Sequence, residues 1–196
     1  MTAMSSIEAA FCRSAPWRGF ARYAILPWAL QGQTVGPDVL EIGAGSGAMA
    51  YELIRREPAI RLTAADVDPA MVAAAEARLQ PYADRATAVQ ADAGNLDFPD
   101  HSFDTVCTWL MLHHTIDWPS VLTEATRVLR PGGTLIGYDL TDSAPSRLIH
   151  RADRSEHRMI AAADLRSGLG ATGLQDVTVE PAWAGLTVRF RGLHPS

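Results

Sequence analysis

Val39-Leu40-Glu41-Ile42-Gly43-Ala44-Gly45-Ser46-Gly47 is the stretch on which the fold turns. A short apolar strand runs straight into glycines at alternate positions, and helical spacing takes over across residues 46–57, stopping before Pro58. Glycine lets the backbone turn tightly and lets a ligand come close, while the start of a helix offers N–H groups with no partner inside it. In an open α/β sheet, such a junction sets a binding site at the carboxyl ends of the strands. The loop by itself is not selective. With Ala48 in the last position and Asp66 farther on, Gly43 and Gly45 also satisfy the dinucleotide fingerprint.

Outward from this loop, short apolar runs alternate with helical patterns, the sequence form of stacked βαβ units on a parallel sheet. Strands are expected over 39–42, 61–66, 86–91, 103–109 and 134–140, with a helix over 69–79 opened by Pro69. Another helix opens at Pro119, where Val121, Leu122, Ala125, Val128 and Leu129 share one face. Arg127 and Arg130 are placed at its carboxyl end, where the helix dipole favours cations, and Pro131-Gly132-Gly133 is read as its stop. A helix over 159–171 precedes two last strands, 175–180 and 185–191, separated by hairpin spacing that implies an antiparallel edge. Residues 1–36 do not fit the alternation. Phe11, Trp17, Phe20, Tyr23, Ile25, Leu26 and Trp28 make them an aromatic helical cap ahead of a domain at 37–196, either packed on the sheet or serving as a lid.

Composition excludes several chemistries. All 17 basic residues are arginine. Without lysine there is no Schiff-base catalysis, no Walker-type nucleotide hydrolysis and no kinase chemistry. A net charge of −5 argues against non-specific nucleic-acid binding. Cys12 and Cys107 are far apart, so neither a disulfide framework nor a cysteine metal site is expected. No apolar run reaches the length of a membrane span, and a reducing, cytoplasmic setting is expected.

The acids choose among ligands. Glu41 stands two residues before the first glycine, Asp66 ends the second strand and Asp92 the third, so three carboxylates share one edge of the sheet. That row suits a ligand with a cationic amino-acid part, a ribose diol and an adenine amino group, and it suits a pyrophosphate poorly. With Ala65-Asp66-Val67-Asp68-Pro69, Gln90-Ala91-Asp92-Ala93, Leu96-Asp97-Phe98-Pro99, Ser102-Phe103-Asp104, Leu112-His113-His114 and Leu129-Arg130-Pro131-Gly132-Gly133 in order, the chain resembles the class I S-adenosylmethionine-dependent methyltransferases, in particular the type 11 methyltransferase domain. The resemblance runs from about Pro37 to Asp139 and implies a Rossmann-like three-layer sandwich with seven mostly parallel strands, the last antiparallel.

It further implies S-adenosyl-L-methionine as cofactor. Glu41 and the backbone of Gly43, Ala44, Gly45 and Gly47 would hold the methionine part, Asp66 the ribose, and Val67 would lie against adenine. Asp92 and the N–H of Ala93 would meet the adenine ring, and Thr108 and Trp109 would lie under the cofactor. Asp104 is at the wrong end of its strand and is given a structural role. His113 is the candidate catalytic base, beside Tyr138 and Asp139, although a histidine pair at this place also serves as a loop anchor. A metal site from His113, His114 and Asp117 is not expected, since adjacent histidines diverge.

No Asn/Asp-Pro-Pro-Tyr follows the fourth strand, no paired glutamates follow it either, and Cys107 falls inside it. The expected partner is therefore a small-molecule or lipid-like methyl acceptor, not a nucleic acid. Arg147, Arg151, Arg154 and Arg158 form either a solvated helix face or an anion-recognising wall. A nicotinamide-dependent oxidoreductase and a cofactor-binding module without turnover stay open as alternatives.

Overall fold

The structure is a computed structural model and describes residues 19, 21–30, 32–143 and 159–196. A π-helical turn at Ala21–Ile25 leads into α1 (Leu26–Leu30). Then follow β1 (Asp38–Ile42), α2 (Ala48–Arg56), β2 (Arg61–Asp66), α3 (Pro69–Leu79), β3 (Ala86–Gln90) and β4 (Phe103–Trp109). The second half holds α4 (Trp118–Val128), β5 (Leu129–Leu140), α5 (Ala162–Ala171), β6 (Gln175–Ala182) and β7 (Thr187–Leu193).

The seven strands form one sheet in the order β3-β2-β1-β4-β5-β7-β6. Strands β1 to β5 run parallel, and β7 is antiparallel to both β5 and β6. Chain order reverses between β1 and β4, so this is the switch point at which an open sheet leaves a crevice.

Two cores cover the two faces. Ile25, Leu26, Ala29 and Leu30 pack with Leu53, Ile54, Trp109 and Tyr138 on one side. Val121, Leu122, Leu165, Leu169, Val188 and Phe190 fill the other. The result is the three-layer, Rossmann-like sandwich. Among the described residues no helix is long and apolar enough to cross a membrane.

Four boundaries depart from the sequence reading, the first being α5, which starts at Ala162 and not 159 because Ile160 forms a bridge with Thr141. Helix α2 starts at Ala48, not 46, because Gly43, Gly45 and Gly47 all take positive φ (68°, 53° and 71°) and stay outside the helix. Helix α4 ends at Val128, and β5 begins at once with Leu129 paired to Phe103, so Pro131-Gly132-Gly133 lies within the strand. Arg130 is thus no helix-terminal cation; it donates to Asp38 and Asp104 at 2.8 and 2.7 Å. The last turn is a 3₁₀ segment, Trp183–Gly185, with β7 starting at Thr187. Of the expected cap, residues 1–18, 20 and 31 lie outside the described residues, Phe11, Trp17 and Phe20 among them. So do Cys12 and the four arginines at 147, 151, 154 and 158.

Candidate functional site

The glycine loop is fixed from both sides. The Ala44 N–H donates to the Ala65 carbonyl at 3.0 Å, and Gly45 N–H to Asp66 Oδ2 at 2.7 Å. A methyl group on Gly43 would stand 2.7 Å from Met111 Cβ, and one on Gly47 would stand 3.0 Å from Ala75 Cβ. Both positions combine a left-handed backbone with a close neighbour, which only glycine allows. From α3, Arg78 Nη1 donates to Ser46 O and Oγ at 2.7 and 2.9 Å, a clamp the sequence reading missed. An arginine two turns into a helix gives no sign of which loop it will reach.

Glu41 is the unusual group. It is 1% exposed, on β1, and lines a small cavity of about 90 Å³ with Gly43, Ser46, Met49, Trp109 and Tyr138. Burial pushes its carboxyl up to about 8; the Trp109 indole opposes this, and the charge of Asp66 adds to it. The indole does not close a hydrogen bond of full geometry, since Glu41 Oε2 and Trp109 Nε1 both lack a partner. A buried carboxyl oxygen and a buried N–H left unpaired in one pocket cost stability, and a polar ligand group there would relieve it.

The other acids follow along the same edge. Asp66 accepts Gly45 N–H on Oδ2 and Asp68 N–H on Oδ1, at 2.7 and 3.0 Å, so it staples the loop while each oxygen keeps a lone pair. The carbonyl of Val67 accepts from Gln90 Nε2 at 3.0 Å. Asp92 Oδ1 accepts Gly94 N–H at 3.0 Å, and Ala93 beside it is buried. Asp92 also borders a larger cavity of about 440 Å³ with His114, Thr115 and Ile116.

Thr108 and Trp109 do not act together. Side chains alternate along a strand. Trp109 joins the Glu41 pocket, whereas Thr108 points to the opposite face, where a methyl on Gly137 would lie 2.5 Å from its Oγ1 and 2.2 Å from Phe190. Its side chain therefore packs in the core.

His113 is 3% exposed and Asp139 1%. Asp139 Oδ1 meets His113 Nδ1 at 2.5 Å and Leu140 N–H at 2.7 Å, while its Oδ2 takes Leu112 N–H at 2.7 Å. The histidine is both loop anchor and half of a buried pair, and His114 lies against it at 4.0 Å. Asp139 is not placed as an independent base; its lone pairs are committed to positioning. Asp104 accepts from Asp38 N–H and Arg130 at the far edge of the sheet, a structural role as expected. No group of three metal-binding side chains occurs among the described residues.

These residues fit S-adenosylmethionine. An orphaned carboxyl oxygen stands at one end, a loop only glycine can form in the middle, and further carboxylates stand where the sugar and base would follow. Comparison with known proteins agrees. The family described as methyltransferase domain matches residues 39–133. The 27-O-demethylrifamycin SV methyltransferase of Amycolatopsis mediterranei is 32% identical over 183 residues, covering 81% of this chain and 64% of that protein. The demethylmenaquinone methyltransferase of Mycolicibacterium paratuberculosis is 30% identical over 195 residues, covering 90% of this chain and 77% of that protein. Against the first three curated relatives the chain spans 64%, 51% and 56% of their lengths. Among solved structures, phospholethanolamine N-methyltransferase 2 of Haemonchus contortus, with S-adenosylhomocysteine bound, superposes with a TM-score of 0.78 at 17% identity, covering 100% of this chain and 61% of that one, which speaks to fold alone. By sequence kinship and by fold, the chain belongs to the class I S-adenosylmethionine-dependent methyltransferases.

Proposed function

We propose that the chain transfers the methyl group of S-adenosylmethionine to a small-molecule acceptor. Relatives named for 27-O-demethylrifamycin SV and demethylmenaquinone support this acceptor class. The observation that carries the reading is the carboxylate row at the switch point, with Glu41 buried and one of its oxygens unpartnered.

The cofactor supplies a methyl group already activated by its sulfonium. The protein's task is then alignment and exclusion of water, which can account for roughly 7–11 kcal/mol of a barrier. Glu41 receives the ammonium end, Asp66 the ribose hydroxyls through its remaining lone pairs, and Asp92 with the Ala93 N–H the adenine. Val67 lies against the ring face, and the backbone of residues 43–47, held in its turn by its own N–H bonds to Ala65 and Asp66, curls around the methionine part. Trp109 walls the pocket. Where the acceptor is a hydroxyl, His113, paired at Nδ1 with Asp139, takes its proton. Asp139, itself held by two backbone N–H groups, fixes the ring and stabilises the cation that forms. Helix α1, packed against Trp109 and Tyr138, caps the acceptor side.

Calorimetric titration tests the cofactor. S-Adenosylhomocysteine should bind saturably and NAD(H) should not, and Asp66→Ala should weaken the binding at least tenfold. Binding of NAD(H) instead would overturn the reading. For the base, Asp139→Asn and His113→Gln should each lower turnover of a hydroxyl acceptor by on the order of 10²-fold or more, with S-adenosylhomocysteine affinity held within a few-fold. Unchanged turnover in either variant removes His113 from the mechanism.

A further inference from the structure

Trp109 and Tyr138, side by side in the Glu41 pocket, begin a row of aromatic rings that leads out of it. Their centroids are 5.7 Å apart. Tyr138 meets Trp28 edge-on at 5.5 Å, and Trp28 stacks on Trp183 at 4.6 Å with 24° between the planes. The row joins β4, β5, α1 and the turn between β6 and β7. That turn belongs to the site's edge of the sheet, because Leu140, the carboxyl end of β5, pairs with Thr187 just after it.

Trp183 differs from the other three. It is 45% exposed, whereas Trp109 and Tyr138 are buried. Its φ is +49°, left-handed backbone that bulky residues rarely take and that glycine or asparagine would adopt without strain. Leu110, which also lines the pocket, has φ +53°. Left-handed backbone at a large apolar residue marks a place where side-chain identity is held against local preference, at Leu110 in the pocket and at Trp183 at the far end of the aromatic row. The ring beneath is fixed: Arg189 Nη1 donates to the Trp28 carbonyl at 3.2 Å, and its guanidinium, tied to Glu180, lies 5.8 Å from the indole centre. Rigid, offset aromatic faces favour flat π-systems through stacking, which a saturated ring of the same outline cannot match.

We infer that Trp183, stacked on Trp28, is a specificity-determining wall of the acceptor site and selects a flat aromatic ring carrying the methylated group. This rests on the methyl-transfer reading above. The probes are 2-naphthol and trans-decahydro-2-naphthol, titrated by calorimetry into the protein saturated with S-adenosylhomocysteine. The naphthol should bind at least tenfold more tightly than its saturated counterpart. Trp183→Ala should remove that preference, Trp183→Phe should retain most of it, and S-adenosylhomocysteine affinity should stay within twofold in both. Trp183→Gly, which relieves the backbone, keeps the test open should the alanine variant fold poorly. Equal binding of the two alcohols, no saturable binding of either, or a Trp183→Ala variant with the naphthol preference intact overturns the inference while leaving methyl transfer standing. Failure to bind S-adenosylhomocysteine at all takes down both.

Discussion

Glu41 holds a proton at neutral pH, and a proton held there has consequences for stability and for binding. Burial raises its carboxyl from 4.5 to about 8 against the opposing Trp109 indole, with Asp66 adding to the rise. An acid raised on folding keeps a proton that the unfolded chain has already released. Between about pH 4.5 and about pH 8 each unit therefore removes stability, on the order of 1 kcal/mol. Glu41→Gln carries no such loss, so its melting temperature should gain on the wild type as pH rises from 5 to 8. Parallel melting curves across that range would contradict the assignment. When an ammonium group docks, the carboxyl ionises, so S-adenosylhomocysteine binding near pH 7 should release close to one proton. Calorimetry in buffers of different ionisation enthalpy reads that proton, and it should vanish in Glu41→Gln. The position of Glu41 was legible in the sequence from its spacing to the glycines. Its protonation was not, because that depends on burial beneath residues from other strands, against which the Trp109 indole works and to which the charge of Asp66 on β2 adds.

At the scale of elements, the site is a strand, a loop and a helix held by a neighbouring helix. Arg78 of α3 grips Ser46 through both its carbonyl and its hydroxyl. Arg78→Leu should leave the fold in place and free the loop, weakening S-adenosylhomocysteine about five- to tenfold. Equal affinity by calorimetry would show that Gly43, Gly45 and Gly47 hold the loop unaided. Buried parallel strands read directly as apolar runs, so β1 to β5 were legible within a few residues. The ends were less so. Ser46 looks helical by spacing, yet left-handed Gly47 defers the helix to Ala48. Pro131-Gly132-Gly133 reads as a stop between elements, yet the β4–β5 pairing already starts at Leu129 and takes up the mismatch with a register shift after Phe103. Thr108 and Trp109 looked alike as strand-end residues, and only the sheet's alternation sends one to the site and the other to the core. Trp28 and Trp183 lie far apart in the chain, and no local signal announces that they stack.

Across the whole molecule, the two edges of the sheet divide the work. The carboxyl edge gathers a buried, partly unpaired carboxyl, left-handed backbone and exposed indole, all of which cost stability. The opposite edge is tied by ion pairs: Arg61 to Asp38 at 2.7 Å, Arg130 to Asp38 at 2.8 Å and Arg130 to Asp104 at 2.7 Å. One arginine thereby joins β1, β4 and β5. Desolvation works to raise the Asp38 carboxyl, but hydrogen bonds from Arg130 and Arg61 outweigh it and hold it below its usual 3.8. An acid lowered on folding adds stability above its unfolded pKa and gives it up as pH falls through the folded value. Arg130 is 37% exposed on its side chain, so solvent screening limits the contribution to about 1 kcal/mol. Arg130→Met should therefore lower the melting temperature by a few degrees at neutral pH and low salt. The difference should shrink in high salt and fade below about pH 4. S-Adenosylhomocysteine affinity should not change, because the pairs stand at the other end of the strands from Glu41. A variant that loses both melting temperature and affinity would show that β1 and β4 transmit strain along their length, and that the two edges do not tune independently.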